Sequence, residues 1–538
     1  MFSEKKMKPN FLLQPIFILV LSLYSFTTTL ALSPYYPNFL YQNWFETLLL
    51  FAFLYASFLL SNKFFYLVTS VIFLPALLYL PQIILYGGLT IGVVASLHET
   101  NSAESIEYLR SIPYSIYIYC FLYIVLFLTL IILSKKTAKP KVSLSIFILL
   151  WGLILGSTFD APIKKYNKVS FPVALESSPF YPIAFTTKAI NLKNAYQKEK
   201  SEFDQALKQP NSWEIISTNA KYKNYILIIG ESMRKDYMSA YGYPIKTTPF
   251  LDKVNGIVFN DYVAASGNTQ LSLKNTLYRK QDRETFIYTD NIISLANKAN
   301  FKTYWLSNQG MLGQYDTIAS RIGQQASYFF FSKKGSYDDK NYFDTVLLEP
   351  FKKALTEQTE QGKLIVLHLI GSHPLFCERL EKQPSEKRFS KEVDCYIETI
   401  KQTDHFIATI NEILKQNNQS YSVLYFSDHG LSHFKDKSTL TLTVGNKYKQ
   451  NYEVPLIRFS SDDVKREYIQ APKSAFHFMG GFAQWLGIQE KHLQQEQNFF
   501  SEETTLPIKI FNWQKFVNFE DLDSDPAIIN IKKEINYE

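Results

Sequence analysis

The segment SVLYFSDHG, residues 422–430, sets Asp428 and His429 side by side behind a run of strand-forming residues. Successive side chains along a strand point to opposite faces, so the two reach one ligand only in the turn that follows. Gly430 gives that turn freedom to leave the pleat. A carboxylate beside an imidazole suits zinc, or manganese. Alone, Asp428 would cap a helix and His429 would pack nearby. Glu231 changes that reading, because it holds the equivalent position behind another strand-like run, NYILIIG at 224–230. Thr269 follows Ser266, Gly267 and Asn268 at the start of a predicted helix, where backbone N–H groups favour an anion such as phosphate. Its hydroxyl is a weak nucleophile until the proton leaves, and a divalent ion lowers the pKa for that loss. On its own, Thr269 reads as an ordinary helix cap.

These residues need a scaffold. Segments 224–232, 301–310, 363–374, 422–430 and 452–461 read as strands, and 290–300, 342–358 and 396–416 as helices between them. Such alternation predicts an α/β domain with a mostly parallel sheet between helices. Sites in these sheets form beyond the carboxyl ends of the strands. That rule selects Glu231, His373, Asp428 and His429. Four other histidines read as structural: His368 in the core, His477 in an amphipathic stretch at 473–488, His405 and His492 on the surface.

The first third of the chain is different in kind. Uncharged stretches at 11–33, about 47–62, 64–87, 112–134 and 142–159 predict five transmembrane helices. The first is long and followed by others, so it reads as a span and not as a cleaved signal peptide. Lys5, Lys6, Lys8, Lys63 and the KKTAKPK run at 135–141 alternate as a cytoplasmic N-terminus requires. Five crossings place everything after about residue 160 on the far side. Three regions are therefore expected: 1–159 transmembrane, 160–222 a juxtamembrane bridge with a lysine-bearing helix, and 223–538 the catalytic domain. Residues 95–115 read as a connecting loop or a short amphipathic helix. The net charge of +7 owes much to lysines flanking the spans, and no basic–aromatic array is present, so no nucleic-acid partner is expected. Cys377 and Cys395 would be able to pair if that far side is oxidising.

Beyond the residues themselves, IIGESMRKDYMSAYGYPIKTTPFLDK (228–253), HLIGSHPLF (368–376) and YFSDHG (425–430) resemble, in order and spacing, the motifs of the bacterial phosphoethanolamine transferases. HETNSAES (98–105) resembles a periplasmic loop of that family. Those enzymes belong to the alkaline phosphatase/sulfatase superfamily and modify lipid A or the lipopolysaccharide core. The resemblance implies a multi-pass inner-membrane protein with a periplasmic catalytic domain. It implies a Zn2+ site from Glu231, Thr269, Asp428 and His429, with Thr269 as nucleophile toward phosphatidylethanolamine. His373 matches the family's phosphate-contacting histidine. The segment ASGNTQLSL lacks the cysteines that flank the threonine in the lipid A enzymes, which brings the chain nearer to the core-modifying relatives. Two further family histidines are not matched: only His433 follows the Asp–His pair closely, and Gln450 stands near the later position. His433 is kept as a candidate phosphate contact. A sulfatase is disfavoured because no C/S-x-P-x-R stretch follows Glu231. A phosphoglycerol transferase of the same fold, and an inactive membrane scaffold, are the alternatives.

Overall fold

The structure is a computed structural model. It describes residues 11–34, 43–90, 93–94, 105, 109–110, 112–206, 208–282, 285–310, 318–333, 343–436, 439–494, 498–503 and 506–529. The predicted 95–115 connector and the first lysines lie mostly outside these residues. Contacts divide the chain into two units, one of residues 1–94 and 112–198, the other of 95–111 and 199–538. Residues 160–198 group by contacts with the first unit. Within the expected bridge the helix forms as Tyr181–Ala206.

The first unit is built from α1 (Gln14–Ala31), α2 (Trp44–Leu60), α3 (Asn62–Tyr86), α4 (Tyr114–Lys136) and α5 (Leu144–Tyr166). Four of them are long and apolar enough to cross a membrane. The exception is α2, apolar but only 17 residues long, so among the described residues four of the five expected spans are met at that length. Large apolar side chains such as Leu19, Leu74, Leu78, Phe121 and Leu149 face outward, as lipid contact requires. Some polar groups turned inward bond between helices: the Tyr24 hydroxyl donates to the Thr69 carbonyl at 3.1 Å, and the Thr28 and Tyr123 hydroxyls bond at 2.8 Å.

The second unit is organised by one eight-stranded sheet. Its strands are β1 (Asn224–Gly230), β2 (Gly256–Phe259), β3 (Lys302–Gly310), β4 (Tyr328–Lys333), β5 (Lys363–His368), β6 (Tyr421–Ser427), β7 (Leu456–Ser460) and β8 (Arg466–Ile469), in spatial order β8-β2-β7-β6-β1-β5-β3-β4. The run β6-β1-β5-β3-β4 is parallel throughout, while β7 is antiparallel to both its neighbours. Every residue of β1 is buried. Tyr225, Leu227 and Ile229 enter one apolar core and Ile226 and Ile228 the other. Burial on both faces is why the run is apolar without alternation. Helices α6 (Thr269–Leu277), α7 (Ile292–Lys298) and α10 (Phe478–Leu486) cover the first face; α8 (Leu348–Thr356) and α9 (Lys391–Gln416) cover the second. Cys377 and Cys395 are joined in a disulfide that ties the turn Phe376–Arg379 to α9.

Candidate active site

At the carboxyl ends of β1 and β6 the chain turns sharply twice. Ser232, after β1, adopts a left-handed φ of 57°, which swings its amide toward the other turn. That amide donates to Asp428 Oδ1 at 3.0 Å, and the Ser232 hydroxyl donates to Glu231 Oε1 at 2.7 Å. After β6, Gly430 is needed for a reason other than the expected one. Its φ is ordinary, but a Cβ there would lie 2.1 Å from the Gln450 carbonyl oxygen. Glu231, Asp428 and His429 are each at most 2% exposed, and one ligand atom from each lies within 4.8 Å of the others.

Thr269 completes the cluster. The capping role falls to its neighbour: Asn268 Oδ1 accepts from the Leu271 amide at 2.9 Å. The Thr269 hydroxyl is thus released from capping. It lies 3.1 Å from Glu231 Oε2, 3.3 Å from Oε1 and 3.2 Å from His429 Nε2. Ser272, one turn along α6, donates to the Asp428 carbonyl at 2.5 Å and fixes the helix against the second turn.

The charges are unbalanced. His429 Nδ1 lies 2.7 Å from the Gly430 carbonyl and donates to it, so Nε2 faces the cluster. Burial and the Glu231 carboxylate push Asp428 well above the usual carboxylate range. Burial would raise Glu231 as well, but the hydrogen bond and charge of His429, with the charge of His373, hold it below. Burial would depress His429, yet the carboxylates and the Gly430 carbonyl raise it to about 9. Asp428 Oδ2 is buried with no hydrogen-bond partner among the described residues, and His429 Nε2 lies 3.5 Å away. No Lys or Arg ion pair reaches either carboxylate among the described residues. Two buried carboxylates, an imidazole nitrogen and an orphaned oxygen aimed at one point fit a divalent cation.

His373 sits on the loop after β5, half-buried. Glu231 anchors that loop through its carbonyl, which accepts from the Ser372 amide at 3.0 Å. Asp344 accepts from the Ile370 and Gly371 amides at 2.8 and 3.0 Å. His433 lies in a different set of contacts. Its Nδ1 is 2.8 Å from Asp525 Oδ1 and its Nε2 2.7 Å from the Tyr237 hydroxyl, so neither ring nitrogen turns to the cluster. Gln450 is likewise taken, accepting from the Asp525 amide at 2.6 Å. Two contributors escape sequence reading. Asp344 gives no signal. Gln309 is the penultimate residue of β3, where the carboxyl-end rule applies, and its amide donates to the Leu369 carbonyl at 2.8 Å and lies 3.4 Å from Glu231 Oε2.

A model of the sulfatase family matches residues 223–488. The chain is 36% identical over 458 residues to the phosphoethanolamine transferase OpgE of Escherichia coli K12, covering 84% of this chain and 86% of that one. The chain belongs to the phosphoethanolamine transferases. A putative phosphoethanolamine transferase of Haemophilus influenzae is 32% identical over 67% of this chain and 73% of its own. Two solved structures agree in fold. The integral membrane lipooligosaccharide phosphoethanolamine transferase A of Neisseria meningitidis covers 90% of this chain and 96% of its own, with a TM-score of 0.57 at 16% identity. The periplasmic domain of EcEptC from Escherichia coli, solved with zinc, covers 58% of this chain and 97% of its own, with a TM-score of 0.50 at 22% identity. As a phosphoethanolamine transferase the chain is a membrane-bound enzyme, and the cluster at the ends of β1 and β6 is its candidate active site.

Proposed function

We propose that the enzyme moves phosphoethanolamine from phosphatidylethanolamine to a cell-envelope glycan, lipid A or the lipopolysaccharide core, through an ester on Thr269. The observation that carries this is the Thr269 hydroxyl, freed from capping and held within 3.3 Å of both Glu231 oxygens and His429 Nε2. Glu231, Asp428, His429 and the Thr269 oxygen would hold Zn2+, with Mn2+ the alternative ion. When bound, the ion supplies a Lewis acid that lowers the hydroxyl's pKa and neutralises phosphoryl charge.

The chain's own residues do the rest. The Thr269 hydroxyl gives up its proton toward Glu231 and its oxygen attacks the donor phosphorus. The phosphorus–oxygen bond to the glycerol breaks, and diacylglycerol leaves after taking up a proton. The N-terminus of α6 faces the phosphoryl oxygens with backbone N–H groups. His373 lies on the loop hung from Glu231 and contacts the substrate phosphate. An acceptor hydroxyl or phosphate then attacks the ester, restoring the threonine and completing a two-step exchange. A cytoplasmic N-terminus and five crossings, with α2 as one of them, would put this unit in the periplasm, at the inner membrane that holds the donor.

The full chain, incubated with phosphatidylethanolamine and no acceptor, should release diacylglycerol and add one phosphoethanolamine mass to the peptide carrying Thr269. Addition of lipopolysaccharide should discharge that peptide and shift the mass of lipid A or core. Mass gain on a different residue would remove Thr269 as nucleophile, and no shift in either glycan would remove this acceptor class.

A further inference from the structure

His373 is carried by a strained loop. Two residues before it Gly371 has a φ of 45°, and two residues after it Leu375 has a φ of 66°. The Gly371 position is tight as well as left-handed: a Cβ there would lie 3.1 Å from both the amide nitrogen and the carbonyl oxygen of Glu231. The loop peptide therefore packs directly on the backbone of Glu231. Strained backbone of this kind persists only where its surroundings hold it, and it gathers at functional sites.

The hold comes from several sides. The Ser372 amide donates to the Glu231 carbonyl at 3.0 Å, and the Ser372 hydroxyl accepts from Thr399 of α9 at 2.8 Å. On another side stands Asp344, 7% exposed, in a short turn just ahead of α8. Its hydrogen bonds among the described residues run to other elements and not to its own turn. Oδ1 accepts from the Ile370 amide at 2.8 Å and from Asn308 Nδ2 at 2.9 Å, and Oδ2 accepts from the Gly371 amide at 3.0 Å. Asn308 belongs to β3, so one carboxylate joins the end of β3 to the loop after β5. Burial pushes this carboxyl above the usual range, while its three donors and the charge of Arg379 oppose the rise. Arg379 Nη2 in turn lies 3.4 Å from His373 Nδ1. Asp344 thus acts ahead of His373 through two amides and behind it through a charge.

We propose that Asp344 is a positioning residue for the transfer reaction: it sets the His373 imidazole against the substrate phosphate by fixing the 370–371 peptide on Glu231 and by offsetting Arg379. The proposal rests on the reading of His373 as a phosphate contact. Three donors meet two carboxylate oxygens, so Asn, the neutral side chain of the same shape, does not substitute. One of its two terminal atoms is itself a donor, and whichever way the amide turns, a buried N–H loses its acceptor. A displacement of about 1 Å in such a loop costs on the order of a hundredfold in rate.

The test is a double-mutant cycle on kcat/KM for phosphoethanolamine transfer by the full chain, with every variant assayed below its own melting transition. Asp344→Asn should lower kcat/KM about tenfold to a hundredfold, and His373→Ala at least as much. In the His373→Ala background, Asp344→Asn should lower the melting temperature as it does in the wild type but change kcat/KM by less than about threefold. A residue that only supports the fold would give the same factor in both backgrounds. Asn308→Ala strips one donor from Asp344 and should show the same pattern at about threefold, which decides the matter if Asp344→Asn does not fold. An undiminished kcat/KM in Asp344→Asn, or an equal loss with and without His373, overturns the proposal and leaves His373 standing. An undiminished kcat/KM in His373→Ala overturns the phosphate contact itself, and the proposal with it.

Discussion

Glu231 and Arg234 lie three residues apart and His429 and His433 four, yet the two pairs end in opposite electrostatic surroundings. Around Arg234, which is fully buried, the charges close on themselves. Its guanidinium pairs with Asp236 at 2.7 Å and Asp525 at 3.1 Å, and Asp525 in turn holds His433. Tyr237 bonds the other side of His433 and accepts from the Ile528 amide at 3.2 Å, so the C-terminal segment is strapped to the signature loop. Around Glu231 and Asp428 nothing closes: two carboxylates share one imidazole, and one oxygen is orphaned. Buried charge persists in a fold when it is paired or when it binds something. The closed cluster holds the loop, and the open cluster is the candidate for the chemistry.

The largest effect that separates them should come from Thr269. Thr269→Ala removes an oxygen that bonds only the open cluster, so transfer should fall about 10^4-fold or more while stability moves by less than about 1 kcal/mol. Assaying phosphoethanolamine transfer beside the melting temperature checks both halves. Thr269→Ser, which keeps a hydroxyl, should retain measurable turnover. A variant that loses stability and activity together would mean that Thr269 belongs to the scaffold.

How far this division was legible in the sequence depends on which force does the positioning. β1, β5 and β6 are continuous apolar runs because both faces are buried, and such runs are visible without a structure. Glu231, Asp428 and His429 follow directly, since the carboxyl-end rule needs only the strands. β2 and β8, four residues each, and β4 escape, because short strands and sheet edges leave little pattern in sequence. The partners of His433 escape for another reason. Its partner Asp525 lies 92 residues away in the chain, and no local pattern signals a pairing of that range. The cap assignment failed by one residue: Asn268 and Thr269 are both good caps, and only the fold decides which hydroxyl or amide turns back to the helix. Among the spans, hydropathy located α2 but not its shortness.

His433→Gln probes the closed cluster at intermediate size. The imidazole joins Asp525 to Tyr237, and its loss removes a hydrogen bond to a charged group, about 1.5–3 kcal/mol. For a unit of this size that is a fall in melting temperature of about 3–6 °C. Because neither ring nitrogen points at Thr269, kcat/KM should change by less than about threefold under conditions where the protein is folded. A large loss in kcat/KM at unchanged melting temperature would return His433 to the substrate phosphate and break the distinction between the clusters.

Gln309 tests the boundary of the open cluster, and its effect should be the smallest. The side chain gives one good hydrogen bond, to the Leu369 carbonyl at 2.8 Å, and one long contact with Glu231 Oε2 at 3.4 Å. It therefore ties the loop bearing His373 to the carboxylate that faces Thr269. Gln309→Ala should cost about 0.5–1.5 kcal/mol, from the hydrogen bond to Leu369. If the tie only braces the loop, the whole cost appears as a lower melting temperature and kcat is unchanged. If Gln309 aims Glu231, kcat falls about threefold to tenfold while KM holds, and Gln309→Glu, which adds a third carboxylate beside Glu231, lowers it further. The cluster is already short of positive charge, so the second outcome is expected: a neutral donor is what the Glu231 side of the site needs, and a charge there would compete with Asp428 for the same cation.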